Sequence, residues 1–367
     1  MPLLAATKSE KQYRTKVLKG HKNIVNCLAY TPDGRYLISG SFDNTVRVWD
    51  VHTGKTIGSP LKGRATSSLV VTPDGKKVVM AASGVTVWAL ESGIPTRILE
   101  TLPPFPFYPV GGVSSVRHPI ISPDGHRAIS VSNETIVYMR DIRTGKSVIE
   151  PIEFPVDNLL SVVWSSDGKK FATYSEDATL RVWDAVTGRL SVKPFQVEGS
   201  PCHCIFSRDD QQLVCIGDGR IWIADARDGR RIPGSSVDHE SPGIYVALSP
   251  DGRRIASCSA YSTVCISDVT TGECIANPLG FSTPRRFWAF SPDGKLIAST
   301  FEKDIEIWDV EAAIADYRAS NQPTQIGALQ ADTPHALARA SNDRNGLMRL
   351  FDRFFSSLRG SLVNPFA

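Results

Sequence analysis

The sequence contains no apolar run near the ~18 residues that a membrane-spanning helix needs. Its opening residues, MPLLAATKSEKQYRTK, hold too short an apolar stretch for a secretory signal. Charge of one sign is also scarce in excess: 41 Lys and Arg stand against 38 Asp and Glu, a net of +3. That balance is too even and dispersed for a nucleic-acid footprint, so no nucleic-acid partner is expected. The seven cysteines are odd in number and irregularly spaced, which argues against a disulfide framework. A reducing compartment, cytoplasmic or nuclear and not secreted, is the expectation. Phosphate-loop and nucleophile-elbow strings (Gly-x-x-x-x-Gly-Lys-Ser/Thr and Gly-x-Ser-x-Gly) are both missing.

What the sequence does have is an internal repeat. Residues 19–55, KGHKNIVNCLAYTPDGRYLISGSFDNTVRVWDVHTGK, hold a Gly-His pair, an alternating run and a Pro-Asp-Gly turn. A second alternating run, a Ser-Phe-Asp-Asn turn and a third run ending in Trp49-Asp50 follow. The Asp of the first turn recurs at Asp33, Asp74, Asp124, Asp167, Asp209, Asp251 and Asp293, with gaps of 41, 50, 43, 42, 42 and 42 residues. A period of roughly 40–45 residues is that of a propeller blade. Alternation over short runs punctuated by Gly, Pro and Asp is the strand signature, and it predicts four strands per copy. In the first copy these fall at residues 25–30, 36–40, 45–49 and 55–61.

Over about 300 of its 367 residues the chain resembles the WD-repeat (WD40) β-propeller family. The first, fourth (SSDGKKFATYSEDATLRVWDAVTGR) and seventh (SPDGKLIASTFEKDIEIWD) copies carry the resemblance most clearly. The Trp-Asp-x-x-Thr-Gly-Lys/Arg ending also looks like the propellers attached to NACHT-type signalling ATPases. The resemblance implies an all-β, seven-bladed propeller of four-stranded antiparallel blades, closed by the N-terminal strand, with a flexible C-terminal tail. The seventh copy ends at Asp309 without a fourth strand, and residues 13–18 form an orphan strand where closure needs one. Closure leaves no long unpaired sheet edge. The expected organisation is a flexible residues 1–12, a propeller over 13–310, a disordered linker over 311–343 and an amphipathic helix over 344–362. Leu347, Leu350, Phe351, Phe354, Phe355 and Leu358 in that last segment recur at helical spacing, with arginines between them. Any membrane contact is expected only there.

Family resemblance also implies a buried hydrogen-bond chain of His, Ser/Thr, Asp and Trp. The first copy matches it with His21, Ser39, Asp43 and Trp49, and the fourth in part with Thr173, Asp177 and Trp183. The third, fifth and sixth copies lack the Trp and are expected to pack less regularly. A catalytic triad built on the same residue types is rejected, because the structural motif explains them and no oxyanion element accompanies them. Cys202-His203-Cys204 places its cysteines on one strand face and the His on the other, poor geometry for one ion. No metal, no cofactor and no enzymatic activity are therefore expected.

Partners of this family dock at loops around the channel mouth. The corresponding turn positions are Phe42, Glu176, Asp218 and Ala260, and those near the inner-strand entries are Lys22, Ile24, Ser115, Asn158 and Arg285. A proline-rich stretch, residues 103–109, reads as a rigid connector or a PxxP ligand. The function these features point to is a non-catalytic scaffold holding a protein or peptide. A ligand-sensing propeller related to NACHT-type proteins, and a propeller enzyme with a site in the channel, stand as alternatives.

Overall fold

The structure, a computed structural model, describes residues 13–320 apart from 63–67, 82–84, 93, 103–119, 133–135, 155–158, 198–200, 218–219, 233–236, 239–242, 260–262, 270 and 281–286. The segments expected as a flexible N-terminus and an amphipathic C-terminal helix lie outside the described residues, as does the proline-rich stretch.

Each repeat folds as its alternation dictates. In blade one, Val25–Tyr30, Tyr36–Ser41, Thr45–Asp50 and Thr56–Lys62 pair in that order as one antiparallel sheet. Six such four-stranded sheets follow chain order, and the seventh is completed from the other end of the chain. There Arg14–Leu18 pairs antiparallel with Asp304–Asp309, outside Leu296–Phe301 and Trp288–Phe290. The chain is thus a seven-bladed propeller sealed by its N-terminal strand.

A blade cannot bury its two faces alone, so the core is divided among the seams. Blades one and two share a cluster that includes Ile38, Val48, Val78 and Trp88. Five further clusters repeat this for each consecutive pair up to blades six and seven. The seventh cluster joins the ends: Leu18, Ile305 and Ile307 pack with Val25, Leu37 and Trp49 of blade one.

The turn between the first two strands has one design throughout. A Ser or Thr two residues before the Asp donates its hydroxyl to that carboxylate, from Thr31, Thr72, Ser122, Ser165, Ser207, Ser249 and Ser291. The Asp then accepts the amide two residues on, at 3.0 Å from Arg35 in blade one. The turn needs a left-handed residue, which glycine supplies elsewhere and Asp210 supplies in blade five at φ 57°. Asp210 adds a tie that glycine cannot. Its carboxylate accepts from the Ser166 amide at 2.6 Å and the Asp167 amide at 3.0 Å, joining blade five to blade four.

Two expectations are corrected. The linker expected from residue 311 begins instead as the helix Val310–Ser320. Asp309 caps it by accepting the Ala312 amide at 2.9 Å. Val310, Ala313, Ile314 and Tyr317, at i, i+3, i+4 and i+7, turn onto the core between blades six and seven. Alanine-rich composition read as low complexity; the four-residue apolar spacing and the cap outweigh it. Irregularity also spreads differently from expectation. The outermost strands of blades three, four and five are only two residues each, Ile152–Glu153, Phe195–Gln196 and Val237–Asp238, although blade four carries one of the clearest repeats. In blades three and four a lone bridge (Arg140 to Ser147, Trp183 to Leu190) starts the strand, and Pro151 and Pro194 fall before pairing resumes. Proline donates no backbone hydrogen bond, so the ladder breaks there.

Candidate functional site

The Gly-His pair of the first repeat enters blade one beside its third strand. A Cβ on Gly20 would lie 3.1 Å from the Trp49 ring and 3.1 Å from the Arg47 guanidinium, so the backbone passes close against both and a side chain there would have to displace them. His21 is thereby placed inside the blade, its side chain fully covered. A directed chain follows. The Trp49 indole N–H donates to Ser39 Oγ at 2.7 Å. The Ser39 hydroxyl lies 2.8 Å from His21 Nε2, and His21 Nδ1 lies 2.9 Å from Asp43 Oδ2. With Asp43 as acceptor, Nδ1 carries the proton and Nε2 receives the serine hydroxyl, so every member is satisfied.

Electrostatics agree with that assignment. Burial pushes the His21 imidazole below its ordinary pKa by more than Asp43 raises it, and Arg47 adds to the lowering. Burial alone would raise the Asp43 carboxyl. Hydrogen bonds from Thr45, the Lys22 amide and His21 outweigh burial and bring its pKa to about 2. Ser39 is fully buried, so the His-Ser-Asp grouping offers no hydroxyl to a substrate.

A pH dependence follows, with a definite sign. The folded chain holds His21 neutral while the unfolded chain protonates it near pH 6.5, so the unfolded state binds more protons below that value. The stability from His21 is complete above about pH 6.5 and is lost as pH falls toward the folded pKa. Melting temperatures between pH 7.5 and 5 are expected to decline with acid, and less steeply in His21→Asn. Equal slopes in the two chains would mean that His21 does not govern this window.

The other blades keep the chain only in part. In blade four the Trp183 N–H donates to Thr173 Oγ1 at 2.9 Å. Asp177 does not join that bond: it accepts from Ser175 at 2.6 Å and pairs with Arg181 at 2.9 Å. Arg181 thus meets the Asp where blade one uses a His. Blade seven has a further indole link that the repeat reading had not singled out, Trp308 N–H to Ser299 Oγ at 3.0 Å. In blade two, Met80 stands at the Ser39 position and gives Trp88 no acceptor.

The chain in blade one also shapes its surface. Asp43 Oδ2 accepts the Lys22 amide at 2.8 Å, and the Phe42 amide donates to the Ile24 carbonyl at 2.9 Å. The entry loop and the turn are therefore tied together from beneath. Phe42 and Ile24 remain 43% and 37% exposed on top of these bonds, with Lys22 exposed beside them. Glu176 is exposed at the equivalent turn of blade four. Ser115, Asn158, Asp218, Ala260 and Arg285 lie outside the described residues. Among the described residues no group of three or more His, Cys, Asp or Glu is placed to hold a metal ion. No helix among them is long and apolar enough to cross a membrane.

Fold and hydrogen-bond chain together define a closed ring of repeat blades, with aromatic and cationic side chains on rigid turns. The family model described as "WD domain, G-beta repeat" matches residues 12–50, 154–184 and 234–268, the strands of the closing seam and of blades one, four and six. Several relatives are similar over most of the chain. Apoptotic protease-activating factor 1 of Danio rerio is 26% identical over 66% of this chain and 18% of its own length. A guanine nucleotide-binding protein subunit beta of Oryza sativa subsp. japonica is 26% identical over 80% of this chain and 82% of its own. Pre-mRNA-processing factor 17 of Saccharomyces cerevisiae is 23% identical over 70% of this chain and 57% of its own. The chain carries WD repeats over the matched stretches, within a seven-bladed propeller. It spans less than a fifth of the first of these relatives and most of the second.

Proposed function

We propose that the chain is a non-catalytic scaffold that binds a protein or peptide through the blade-one surface formed by Lys22, Ile24 and Phe42. The observation that carries this reading is the exposure of Phe42 and Ile24 on loops pinned by the His21–Asp43 pair. An aromatic residue beside a cation on a pre-ordered surface is the usual content of an interface hot spot. A rigid support also reduces the ordering cost of binding. The buried state of Ser39 supports the non-catalytic part. Thiols free at all five described cysteines are in keeping with a reducing compartment, cytoplasmic or nuclear.

Affinity purification of the chain and of Phe42→Ala, compared by mass spectrometry, tests the reading. At least one partner is expected to weaken roughly tenfold or more with Phe42→Ala while the melting temperature stays unchanged. An identical partner set with both chains would place the binding surface elsewhere.

A further inference from the structure

Six of the seven cysteines fall between residues 202 and 274, in blades five and six. Two pairs of them meet across neighbouring strands. Cys204 stands directly opposite Cys215 in blade five. In blade six, Cys265 lies on the third strand, Thr263–Asp268, and Cys274 opens the fourth, Cys274–Gly280. Cys274 pairs with Ser267 next to a bulge, and Cys265, two residues before Ser267 on the same strand face, reaches the Ser267 hydroxyl, so both thiols stand beside that serine.

The blade-six pair exists because of what the repeat has lost. Ser267 occupies the position that holds Trp49 in blade one, and it is fully buried. The Cys265 sulfur sits 3.3 Å from the Ser267 hydroxyl, and the Cys274 sulfur lies 3.3 Å from the Ala276 carbonyl. Small polarizable side chains stand where an indole stands elsewhere. Tyr317 of the helix Val310–Ser320 packs on the adjoining seam between blades six and seven, which includes Ile266 and Ala276 of the same two strands.

Access separates the two pairs. Cys204 and Cys215 are both enclosed in the seam between blades four and five. Cys274 is half-buried, with one side open to solvent, while Cys265 lies beneath it. Their acidities are also split. The hydrogen bond from Cys265 raises the Cys265 thiol above its ordinary value and lowers that of Cys274. A thiolate is the nucleophile in cysteine oxidation, so the more acidic and more open sulfur reacts first.

We propose that Cys274 and Cys265 form a reversible disulfide when the chain meets a hydroperoxide, with Cys274 reacting first and Cys265 resolving. The Cys274 sulfur attacks the peroxide O–O bond and becomes a sulfenic acid, releasing water from hydrogen peroxide or an alcohol from an organic hydroperoxide. The Cys265 sulfur then attacks the Cys274 sulfur and breaks its S–O bond. The departing hydroxide leaves as water with the proton from Cys265. Two thiols are oxidised and one peroxide is reduced. A thiol donor reverses the bond by exchange. The product staples the third strand of blade six to the fourth, under the helix that follows blade seven.

The test uses the whole reduced chain, one equivalent of hydrogen peroxide, an alkylating quench and cleavage before Asp residues without reductant. Fragments 251–267 and 268–292 are expected as a single linked species, two hydrogens lighter than their sum, and separated by dithiothreitol. Cys274→Ser abolishes the link. Cys265→Ser also abolishes it and leaves Cys274 as a sulfenic acid that dimedone traps. That second variant assigns the partner, because Cys258 shares the first fragment. The proposal is overturned if Cys204–Cys215 links first, if the link survives Cys265→Ser, or if Cys274 in the unaltered chain stops at the sulfenic acid. Tandem mass spectrometry of the linked species from the unaltered chain, with one of Cys258 and Cys265 carrying the alkyl group, makes the same assignment without depending on a variant folding.

Discussion

A chain lacking residues 1–19 is expected to melt roughly 10–20 °C below the whole chain. The deletion removes the strand Arg14–Leu18 and leaves Asp304–Asp309 as an open edge. Leu18 is lost from the seam between blades seven and one, and Tyr13 from the seam between blades six and seven. Each buried apolar side chain of that size is worth roughly 3–5 kcal/mol. Arg14 is lost from its 2.7 Å pair with Glu306. Tyr13 also carries two links out of the strand: its carbonyl accepts the Asp309 amide at 2.9 Å, and its hydroxyl donates to Asp316 of the helix. With incomplete additivity these losses come to roughly 5 kcal/mol or more, at roughly 2–4 °C per kcal/mol for a chain of this size. Differential scanning calorimetry of the two chains gives the comparison. An unchanged melting temperature would show that the N-terminal strand does not close the ring.

Trp49→Ala is expected to destabilise by roughly 3–5 kcal/mol. The indole is 1% exposed and packs against Leu18, Leu37 and Ile305, so its removal opens a cavity at the closing seam. It also removes the donor to Ser39, at the head of the chain to His21 and Asp43. Trp49→Phe separates the two effects. It keeps most of the volume and loses the N–H, at a cost of roughly 1–2 kcal/mol. Trp88 is the internal control, because its indole N–H has no partner among the described residues and its replacement by Phe gives up no such bond. Urea denaturation measures all three. A Trp49→Ala cost below about 1 kcal/mol would contradict the packing described for that seam.

Architecture was legible because it rests on local features that recur. The turn Asp and the alternating runs are repeated seven times and the Gly after that Asp six times, and repetition overrides errors in any one copy. Ring closure was legible from a deficit and a surplus: a missing strand after Asp309 and an extra one before His21. The Ser or Thr two residues before each turn Asp was equally visible in the sequence and went unread. The role of the hydroxyl appears only when the turn is built. The helix Val310–Ser320 was hidden by its alanines, which suit both a helix and a low-complexity linker. What tips the balance is a tertiary surface, the seam between blades six and seven, and composition carries no record of it. The blade-six thiol pair was illegible for a related reason. Cys265 and Cys274 meet only through a bulge in the pairing of their strands, and alternation alone does not announce a bulge. At the candidate site, residue type and position marked Phe42, Ile24 and Lys22. Their common support from Asp43 and the Ile24 carbonyl is a property of the folded loops.

The division of the core into seams has a consequence for how the chain comes to be folded. Every hydrophobic cluster belongs to two blades, so a half-made ring always carries an uncovered face at each end. The cluster that closes it joins Leu18 to Ile305 and Ile307, and Arg14 reaches Glu306 across 292 residues of sequence. During synthesis the strand that seals the propeller emerges ahead of blade one, and its partner emerges after all the other blades. Arg14–Leu18 therefore spends the whole interval as an unpaired strand, which is the segment type most open to pairing with the wrong edge. Arg14, Lys16 and Lys19 place positive charge along and beside it, and charge of one sign discourages two such strands from meeting.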